Sequence, residues 1–165
     1  MSLCNGRLKK FGDYDFFESI QVLTPTKKGL LGTNEMNKAL QQELNPSRQG
    51  EEEKASMGAI FRIGDRVMQI KNNYDIYWEK HKEEFEYGSG IFNGEFGIIV
   101  DINEEEKQIQ VKYDDEKNAW YSYQDIDQIE HAYAITVHKS QGSEFDVVIM
   151  CLPPAAPMLL TRNLL

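Results

Sequence analysis

Apolar positions near the N-terminus follow first a strand pattern and then a helix pattern. Residues 20–23 form a short apolar run that Thr24-Pro25-Thr26 closes, which predicts a buried strand followed by a turn. Further on, apolar residues recur at every fourth position, as on one face of a helix; they are Met36, Leu40 and Leu44. Thr33 is predicted to be the N-cap of this helix, and Asn45-Pro46 to end it.

The last third of the chain shows an apolar, polar, apolar pattern. The run 134–137 gives way to polar and small residues, and a second apolar run resumes at Val147–Met150. This pattern predicts a strand, a tight polar turn or short helix, and a second buried strand. Because the segment has no partner sheet of its own, we expect it to share one parallel sheet with residues 19–44. The polar residues would then lie at the sheet edge, where α/β proteins bind ligands.

Between these parts, residues 59–129 contain short alternating segments. The alternating apolar positions are Ile98, Val100, Ile102, Ile109, Val111 and Tyr113. Residues 103–107 supply a hairpin connection, and further short strands are expected at 64–70 and near Trp120. Several short strands in so short a span are typical of a small barrel. Residues 46–58 are predicted to be a polar linker, and 71–97 a surface loop with one helical turn at most.

Charge is distributed unevenly along the 165 residues, whose formal net charge is −9. Residues 1–48 carry 7 basic and 5 acidic side chains, residues 49–128 carry 9 and 19, and residues 129–165 carry 2 and 3. A uniformly acidic chain would repel nucleic acid. Because the acidity belongs to the middle, the flanking parts remain able to bind it.

Cysteine and histidine usage excludes several classes of site. Cys4 and Cys151 are too few and too far apart for a disulfide framework or a zinc site, and the three histidines lack metal-ligand spacing. No metal site is therefore expected, and a reducing cytoplasm is the default location. The longest apolar stretch is far below the ~20 residues that span a bilayer, and acidic residues interrupt the N-terminal segment where a signal peptide would be apolar.

Five stretches resemble the RecD-like branch of superfamily 1 helicases, the family of the exodeoxyribonuclease V alpha subunit and its stand-alone relatives. Residues 134–145 (AITVHKSQGSEF) resemble motif V, and residues 20–32 (IQVLTPTKKGLLG) resemble motif IV. Residues 64–69 together with 92–97 are similar to the inserted SH3-like barrel, and residues 159–165 to the run that leads into motif VI.

The resemblance implies a fold class and a domain organisation. The fold is α/β: a partial RecA-like (P-loop NTPase-like) parallel-sheet motor domain 2A with an inserted small SH3-like β-barrel, 2B. Residues 1–58 would form the first part of 2A and a linker, 59–129 the barrel, and 130–165 the second part of 2A. The implied activity is ATP-dependent 5′-to-3′ translocation on single-stranded DNA, in recombination or repair.

The pattern of a complete phosphate-binding loop, Gly-x-x-x-x-Gly-Lys-Ser/Thr, is absent from the sequence, and residues 28–33 only approach it. The family's first motor domain and its arginine finger would lie outside the chain, and Arg162 is expected to be structural. The chain is therefore expected to be part of a longer helicase and to be inactive alone. ATP and Mg²⁺ are expected for the full-length protein and no cofactor for this part.

The DNA-binding residues that the resemblance implies are Thr24, Pro25, Thr26, Lys27, Thr136, His138 and Lys139. Hydroxyls and backbone N–H groups at strand ends and helix starts can hold a phosphate, and lysine adds charge. The alternatives are a plain strand-to-helix turn, an N-cap at Thr136 and a solvated lysine.

The nucleotide-binding residues that the resemblance implies are Gln141, Gly142 and Glu144, with Glu144 facing the ribose or a coordinated water. The alternative for Glu144 is a surface carboxylate. Single-stranded DNA is the expected partner, other exodeoxyribonuclease V subunits are a further candidate, and no membrane is expected. The competing interpretation is a non-enzymatic SH3-like module that docks a protein partner. Aromatic residues in 74–92 could stack on bases, but the acidity of the segment argues against a broad contact.

Overall fold

A computed structural model describes residues 19–81 and 85–152. The chain divides into two compact units. The α/β unit contains the residues up to Leu44 and those from Tyr133 onward, and the β unit is Asn45–Ala132. Residues 159–165, Arg162 and Cys4, which figured in the sequence analysis, lie outside the described residues. Within the described ranges, no helix is long and apolar enough to cross a membrane.

The described residues of the α/β unit form one helix and three strands: β1 (Ile20–Thr24), α1 (Thr33–Leu44), β11 (Ala134–Thr136) and β12 (Val147–Met150). Both β11 and β12 pair with β1 in parallel, in the order β11-β1-β12. This pairing confirms that the two ends of the chain share one parallel sheet.

Apolar packing explains why α1 forms. Leu40 is buried against Ile20 and Val22 of β1, and Met36 and Leu44 pack against the same core. The predicted stripe of apolar residues is therefore confirmed. The N-cap prediction was one residue off, because the first helical hydrogen bond runs from Met36 N–H to the Gly32 carbonyl (3.0 Å), which puts Gly32 at the cap and Thr33 inside the helix.

In its described residues, 45–81 and 85–132, the β unit contains nine strands and a short 3₁₀ helix at Ile126–Gln128. The strands are β2 (Glu53–Ser56), β3 (Ala59–Arg62), β4 (Arg66–Gln69), β5 (Asn73–His81), β6 (Phe85–Ile91), β7 (Phe96–Asn103), β8 (Gln108–Tyr113), β9 (Asn118–Ser122) and β10 (Ile129–His131). Seven form an antiparallel sheet in the order β10-β4-β7-β8-β9-β5-β6, and β2 and β3 form a separate hairpin. In the described residues no pairing joins β10 to β6, so the expected barrel is observed as an open sheet.

A β-bulge changes which residues of β7 face the core. The prediction placed Ile98, Val100 and Ile102 on one face, but the register with β8 shifts between Ile99 and Asp101. Ile99 and Ile102 are buried as a result, and Val100 is 38% exposed. An extra residue in one strand reverses the alternation beyond it, so strict alternation predicted the wrong inward residue.

Two segments predicted to be irregular contain strands. The surface loop predicted at 71–97 is wrong, because β5 and β6 pair as antiparallel strands there, with Ile76 and Ile91 buried. Their other side chains are mostly aromatic or charged and stay exposed, which hid the strand pattern. Within 46–58, β2 turns into β3 through Met57 and Gly58, both at positive φ (49° and 81°). That geometry is the two-residue hairpin turn that matches strand twist.

Candidate nucleic-acid interface

Two polar loops begin at the same edge of the parallel sheet. Thr24 ends β1 and Thr136 ends β11, and these two residues are in register. The Val137 N–H donates to the Thr24 carbonyl at 3.1 Å, so the strand ends remain joined where the second loop starts. The loops 25–32 and 137–146 therefore leave from adjacent points, as parallel strands require.

The first loop is closed by hydrogen bonds back to the start of α1. Thr33 N–H donates to the Thr26 carbonyl at 3.0 Å, and Asn34 N–H to the Lys27 carbonyl at 3.2 Å. A Cβ on Gly32 would lie 2.6 Å from the backbone oxygens of Lys27 and Lys28, so the loop leaves no room for a side chain there. This closure holds Thr26 and Lys27 at the edge of the sheet.

Thr24 does not lie at the surface, where a DNA-binding residue would be. The residue is fully buried, and its hydroxyl donates to the Leu31 carbonyl at 2.5 Å, across the loop. Pro25 and Thr26 are partly buried, Lys27 is exposed, and the Thr26 hydroxyl donates to the Lys28 carbonyl at 2.9 Å. The hydroxyl of Thr24 thus holds the loop together, while Thr26 and Lys27 lie nearer to solvent.

The second loop is a series of turns and not a regular helix. The Thr136 carbonyl accepts from Lys139 N–H at 2.9 Å and from Ser140 N–H at 3.2 Å, which makes one helical turn. The Ser140 hydroxyl closes it by donating to the Val137 carbonyl at 2.8 Å. Thr136 Oγ1 lies 3.4 Å from the Lys139 nitrogen, a long version of an N-cap contact. His138 is exposed, and Lys139 is partly buried.

Residues 141–146 lead away from this edge. Val147, the first residue of β12, pairs with Ile20, the first residue of β1, so the loop must run from the carboxyl ends of the strands to their amino ends. Gln141, Gly142 and Glu144 lie along this crossover and are exposed. Gly142 has φ +87° and nothing within 4 Å of a Cβ built on it, so its backbone conformation explains the glycine better than a lack of space does.

The structure therefore brings only some of the predicted residues together. The residues predicted to bind DNA lie at the carboxyl ends of β1 and β11, whereas Glu144 lies further along the crossover loop, toward the amino ends of the strands. Among the described residues, no group of three or more histidine, cysteine or acidic side chains could hold a metal ion.

Asn37 is a site residue that the sequence did not indicate. Its buried side-chain amide accepts from Ala134 N–H at 2.7 Å and donates through Nδ2 to the Ala134 carbonyl at 3.0 Å. The side chain thus pairs with the backbone of the first residue of β11 as a neighbouring strand would. A polar residue one position beyond the apolar residue Met36 carries no signal of a partner 97 residues away. The contact fixes the strand that ends in Thr136.

The parallel sheet and the antiparallel insertion agree with the fold that the resemblance to RecD-like helicases implies. The comparisons support this class. Residues 36–113 match the family model of the ATP-dependent RecD-like DNA helicase SH3 domain, and residues 131–165 match the UvrD-like helicase C-terminal domain. Both matches favour a helicase over a non-enzymatic docking module.

Relatives extend these matches over most of the chain. It is 33% identical to the ATP-dependent RecD2 DNA helicase of Deinococcus radiodurans, over 88% of this chain and 18% of that protein. It is 31% identical to an uncharacterised protein of Methanocaldococcus jannaschii, over 96% of this chain and 15% of that protein. It is 26% identical to the RecBCD enzyme subunit RecD of Buchnera aphidicola subsp. Schizaphis graminum, over 90% of this chain and 23% of that protein. The chain thus spans less than a quarter of these relatives.

A solved structure shows the same fold. The Pif1 helicase from Bacteroides, in complex with ADP-AlF₃ and single-stranded DNA, superposes with a TM-score of 0.53 at 16% identity, over 93% of this chain and 38% of that one. This likeness concerns the fold. The domain matches and the relatives show that the chain belongs to the RecD-like helicase family.

Proposed function

We propose that this chain is the C-terminal part of the motor of an ATP-dependent DNA helicase, and that the edge formed by the ends of β1 and β11 holds single-stranded DNA. The observation that carries the proposal is the register of Thr24 with Thr136, which brings the motif IV and motif V loops to adjacent points. In domain terms, residues 1–58 and 130–165 would form a RecA-like domain 2A, and residues 59–129 an SH3-like domain 2B.

Phosphates of the DNA backbone would be held at this edge by hydroxyls, backbone N–H groups and positive charge. Thr26, Lys27 and His138 lie toward solvent, and Lys139 and Thr136 lie beside them on the second loop. Such contacts position a strand without reading its sequence, as a motor that moves along any sequence requires. Thr24 and Asn37 would act indirectly, by holding the first loop and the start of β11.

Nucleotide would be sensed by the crossover that follows. Gln141, Gly142 and Glu144 are exposed, and a Cβ built on Gly142 would meet no atom within 4 Å, which fits one wall of a nucleotide site. The chain has no phosphate-binding loop with its Gly-Lys pair, so it fits only part of such a site. Hydrolysis of bound ATP with Mg²⁺ in the complete protein would supply the free energy for 5′-to-3′ stepping.

Binding of a labelled deoxythymidine oligonucleotide to the chain tests the DNA edge. We expect weak binding that falls steeply with salt, because phosphate neutralisation releases counterions. Thr26→Ala combined with Thr136→Ala should weaken it about tenfold, since the loop that carries Lys27 loses the hydrogen bond from the Thr26 hydroxyl to the Lys28 carbonyl and the Thr136 hydroxyl can no longer donate to a phosphate. Lys27→Gln should reduce the salt slope by about one.

Lys38→Gln is the matched control for the lysine. Lys38 lies exposed on α1, where it pairs with Glu35 at 3.2 Å, away from the strand ends. Equal effects of the Lys27 and Lys38 substitutions, or a double threonine variant that binds as tightly as the parent chain, would contradict the proposed edge.

A second experiment tests the nucleotide proposal. We expect the purified chain to show no DNA-stimulated ATP hydrolysis, since positioning and charge stabilisation of the γ-phosphate need a phosphate-binding loop that the sequence lacks. Turnover above the level of a heat-inactivated sample would overturn this expectation.

Two broader assignments complete the proposal. Because several relatives are named as RecBCD enzyme subunits, other exodeoxyribonuclease V subunits are proposed partners of the complete protein. A cytoplasmic location is proposed with them, since DNA is the substrate.

A further inference from the structure

An open groove lies on the outer face of the β unit. Its volume is about 720 Å³, and it is formed where β5 passes β9 and the end of β8. Tyr77 and Trp120 provide aromatic surface, and Asp75, Glu79 and Asp125 provide carboxylates. Tyr77 and Glu79 alternate along β5 and so share one face of the strand. Asp75 lies in the irregular stretch between Asn73 and Tyr77, and it lines the groove together with the buried Ile76.

The aromatic surface continues from the groove onto β6. Glu79 pairs with Tyr87 and His81 pairs with Phe85, which puts all four side chains on the same face as Tyr77. Tyr77, Phe85 and Tyr87 are 52%, 57% and 69% exposed. The rings of Phe85 and Tyr87 lie 6.4 Å apart. Contiguous exposed aromatic surface of this kind marks an interaction site more often than isolated exposed residues do.

The charge of the groove limits what can bind there. The described residues that line the groove include three carboxylates and no lysine, arginine or histidine. Asp125 is held by the Ser122 hydroxyl at 2.6 Å and by the Gln128 amide at 3.0 Å, and Glu79 contacts the His81 ring nitrogen at 2.7 Å. These contacts orient the carboxylates and, for Asp125, add no positive charge.

We propose that this acidic aromatic face binds an arginine-bearing segment of a partner protein. A guanidinium group can stack on an aromatic ring and hydrogen-bond a carboxylate at the same time, and Tyr77 beside Glu79 offers both partners. A nucleic-acid strand would also stack on the rings, but its phosphates would meet the groove's carboxylates without a cation to neutralise them. Charge complementarity therefore selects a basic peptide over single-stranded DNA.

This surface goes beyond the proposed helicase function and does not depend on it, because every residue involved belongs to the β unit. Loss of DNA binding at the edge of the parallel sheet would leave the proposal intact. A failure of peptide binding would likewise leave the helicase proposal intact.

Fluorescein-labelled hepta-arginine and hepta-lysine, titrated into the chain, test the proposal by fluorescence anisotropy. We expect hepta-arginine to bind more tightly than hepta-lysine, because only the guanidinium is planar and stacks well. Asp75→Asn with Glu79→Gln should weaken hepta-arginine about tenfold, and Tyr77→Ser about fivefold, from the charge and stacking contributions respectively.

Matched controls carry the same chemical changes elsewhere in the β unit. Glu51→Gln with Glu52→Gln removes two exposed carboxylates outside the groove. Tyr74→Ser removes an exposed ring, 67% accessible, that contacts Phe92 and does not line the groove. Each control should change hepta-arginine affinity less than about twofold, the range expected for exposed groups that make no contact with the ligand.

Three outcomes would overturn the proposal. If the double variant in the groove and the control double variant weakened hepta-arginine binding equally, the peptide would be responding only to the overall charge of the chain. Loss of deoxythymidine oligonucleotide binding in Tyr77→Ser, with hepta-arginine unaffected, would assign the face to nucleic acid. Absence of saturable hepta-arginine binding up to about 1 mM would show that no such site exists.

Discussion

The two units place their polar chemistry at different parts of a sheet. In the α/β unit the strands are parallel, β1 is buried, and the polar residues lie beyond the carboxyl ends of β1 and β11. In the β unit the strands are antiparallel, and the polar and aromatic residues lie on the outer face of β5, β6 and β9. An antiparallel sheet can expose one face to water, whereas a parallel sheet usually has both faces covered.

This difference separates the surfaces by charge as well as by position. Residues 49–128 carry nearly all of the excess acidity, while the segments that form the α/β unit are close to neutral. A phosphate backbone and a basic peptide can therefore be bound by one chain, each by the unit whose charge permits it. The predictions that follow disturb one unit at a time.

Asp65 is expected to be the most sensitive position of the β unit. It is fully buried and accepts hydrogen bonds from Asn45 Nδ2 (2.7 Å), Arg62 N–H (2.8 Å) and His131 Nε2 (2.9 Å). These bonds join the first residues of the unit to its last strand. Asp65→Ala should cost about 3–4 kcal/mol of unfolding free energy, because a buried polar network loses its central acceptor.

Tryptophan emission measures this effect selectively, since both tryptophans of the chain, Trp78 and Trp120, belong to the β unit. Denaturant unfolding should give a lower midpoint by emission in Asp65→Ala. Asp101→Ala, at an exposed position of β7, is the control and should unfold like the parent chain. A midpoint unchanged in Asp65→Ala would mean that the network contributes nothing.

Gly97 is expected to rank next, because the sheet of the β unit leaves no room for a side chain there. A Cβ built on Gly97 would lie 2.7 Å from the Lys112 carbonyl oxygen and from Val111 Cγ1. Gly97→Ala should cost about 3 kcal/mol, as overpacking against backbone does. Gly94→Ala, in open space but at φ +100°, should cost only about 1 kcal/mol. Chemical unfolding followed by tryptophan emission compares them, and equal costs would contradict the packing argument.

How far the sequence predicts each unit depends on where its apolar residues point. Strand β1 is mainly apolar, β12 is a continuous apolar run and α1 has a regular stripe, so local patterns were enough to predict these elements of the α/β unit. Strands β5 and β6 bury mainly Ile76 and Ile91 and expose rings that resemble a loop composition, so they were missed. The bulge at Val100 was missed because an inserted residue has no signature in a β-branched segment.

In the candidate site, too, some features follow from local sequence patterns and others do not. Thr24 and Thr136 could be predicted to meet, because parallel strands align their carboxyl ends. That the Thr24 hydroxyl faces the Leu31 carbonyl depends on how the loop closes, which no local pattern encodes. Asn37 was unpredictable for a related reason, since its partner Ala134 is distant in sequence and offers only its backbone.

Asn37 tests the α/β unit in the way that Asp65 tests the β unit. Asn37→Ala removes two hydrogen bonds to Ala134 and should cost about 2 kcal/mol. Asn37→Asp should be no better, because a second carboxylate oxygen would face the Ala134 carbonyl in place of an N–H donor. Far-UV circular dichroism reports the loss, with little change expected in tryptophan emission.

Oligonucleotide affinity distinguishes a positioning role of Asn37 from a purely stabilising one. Below the unfolding transition, Asn37→Ala should still bind the deoxythymidine oligonucleotide more weakly than the parent chain, since β11 ends in Thr136. The comparison variant is Gln42→Ala, at an exposed position of α1, which should retain both stability and affinity. Full stability in Asn37→Asp would refute the bidentate pairing.

The smallest expected effect concerns Tyr123 in the β unit and appears only at high pH. Burial, and then the Glu104 carboxylate, which accepts a hydrogen bond from the Tyr123 hydroxyl at 2.8 Å, raise the pKa of Tyr123 to about 12. Below pH 10 the phenol is protonated in both the folded and unfolded chains, so its stabilising contribution is complete. Between pH 10 and pH 12 the unfolded chain ionises first, and the contribution is lost.

The stability advantage of the parent chain over Tyr123→Phe should therefore be constant up to pH 10 and shrink above it. Urea unfolding at pH 9, 10 and 11 measures this advantage. Glu104→Gln should give a smaller decline from the same starting pH, because it lowers the pKa of Tyr123 only in the folded chain. Parallel stability curves for the parent chain and Tyr123→Phe would disprove the link.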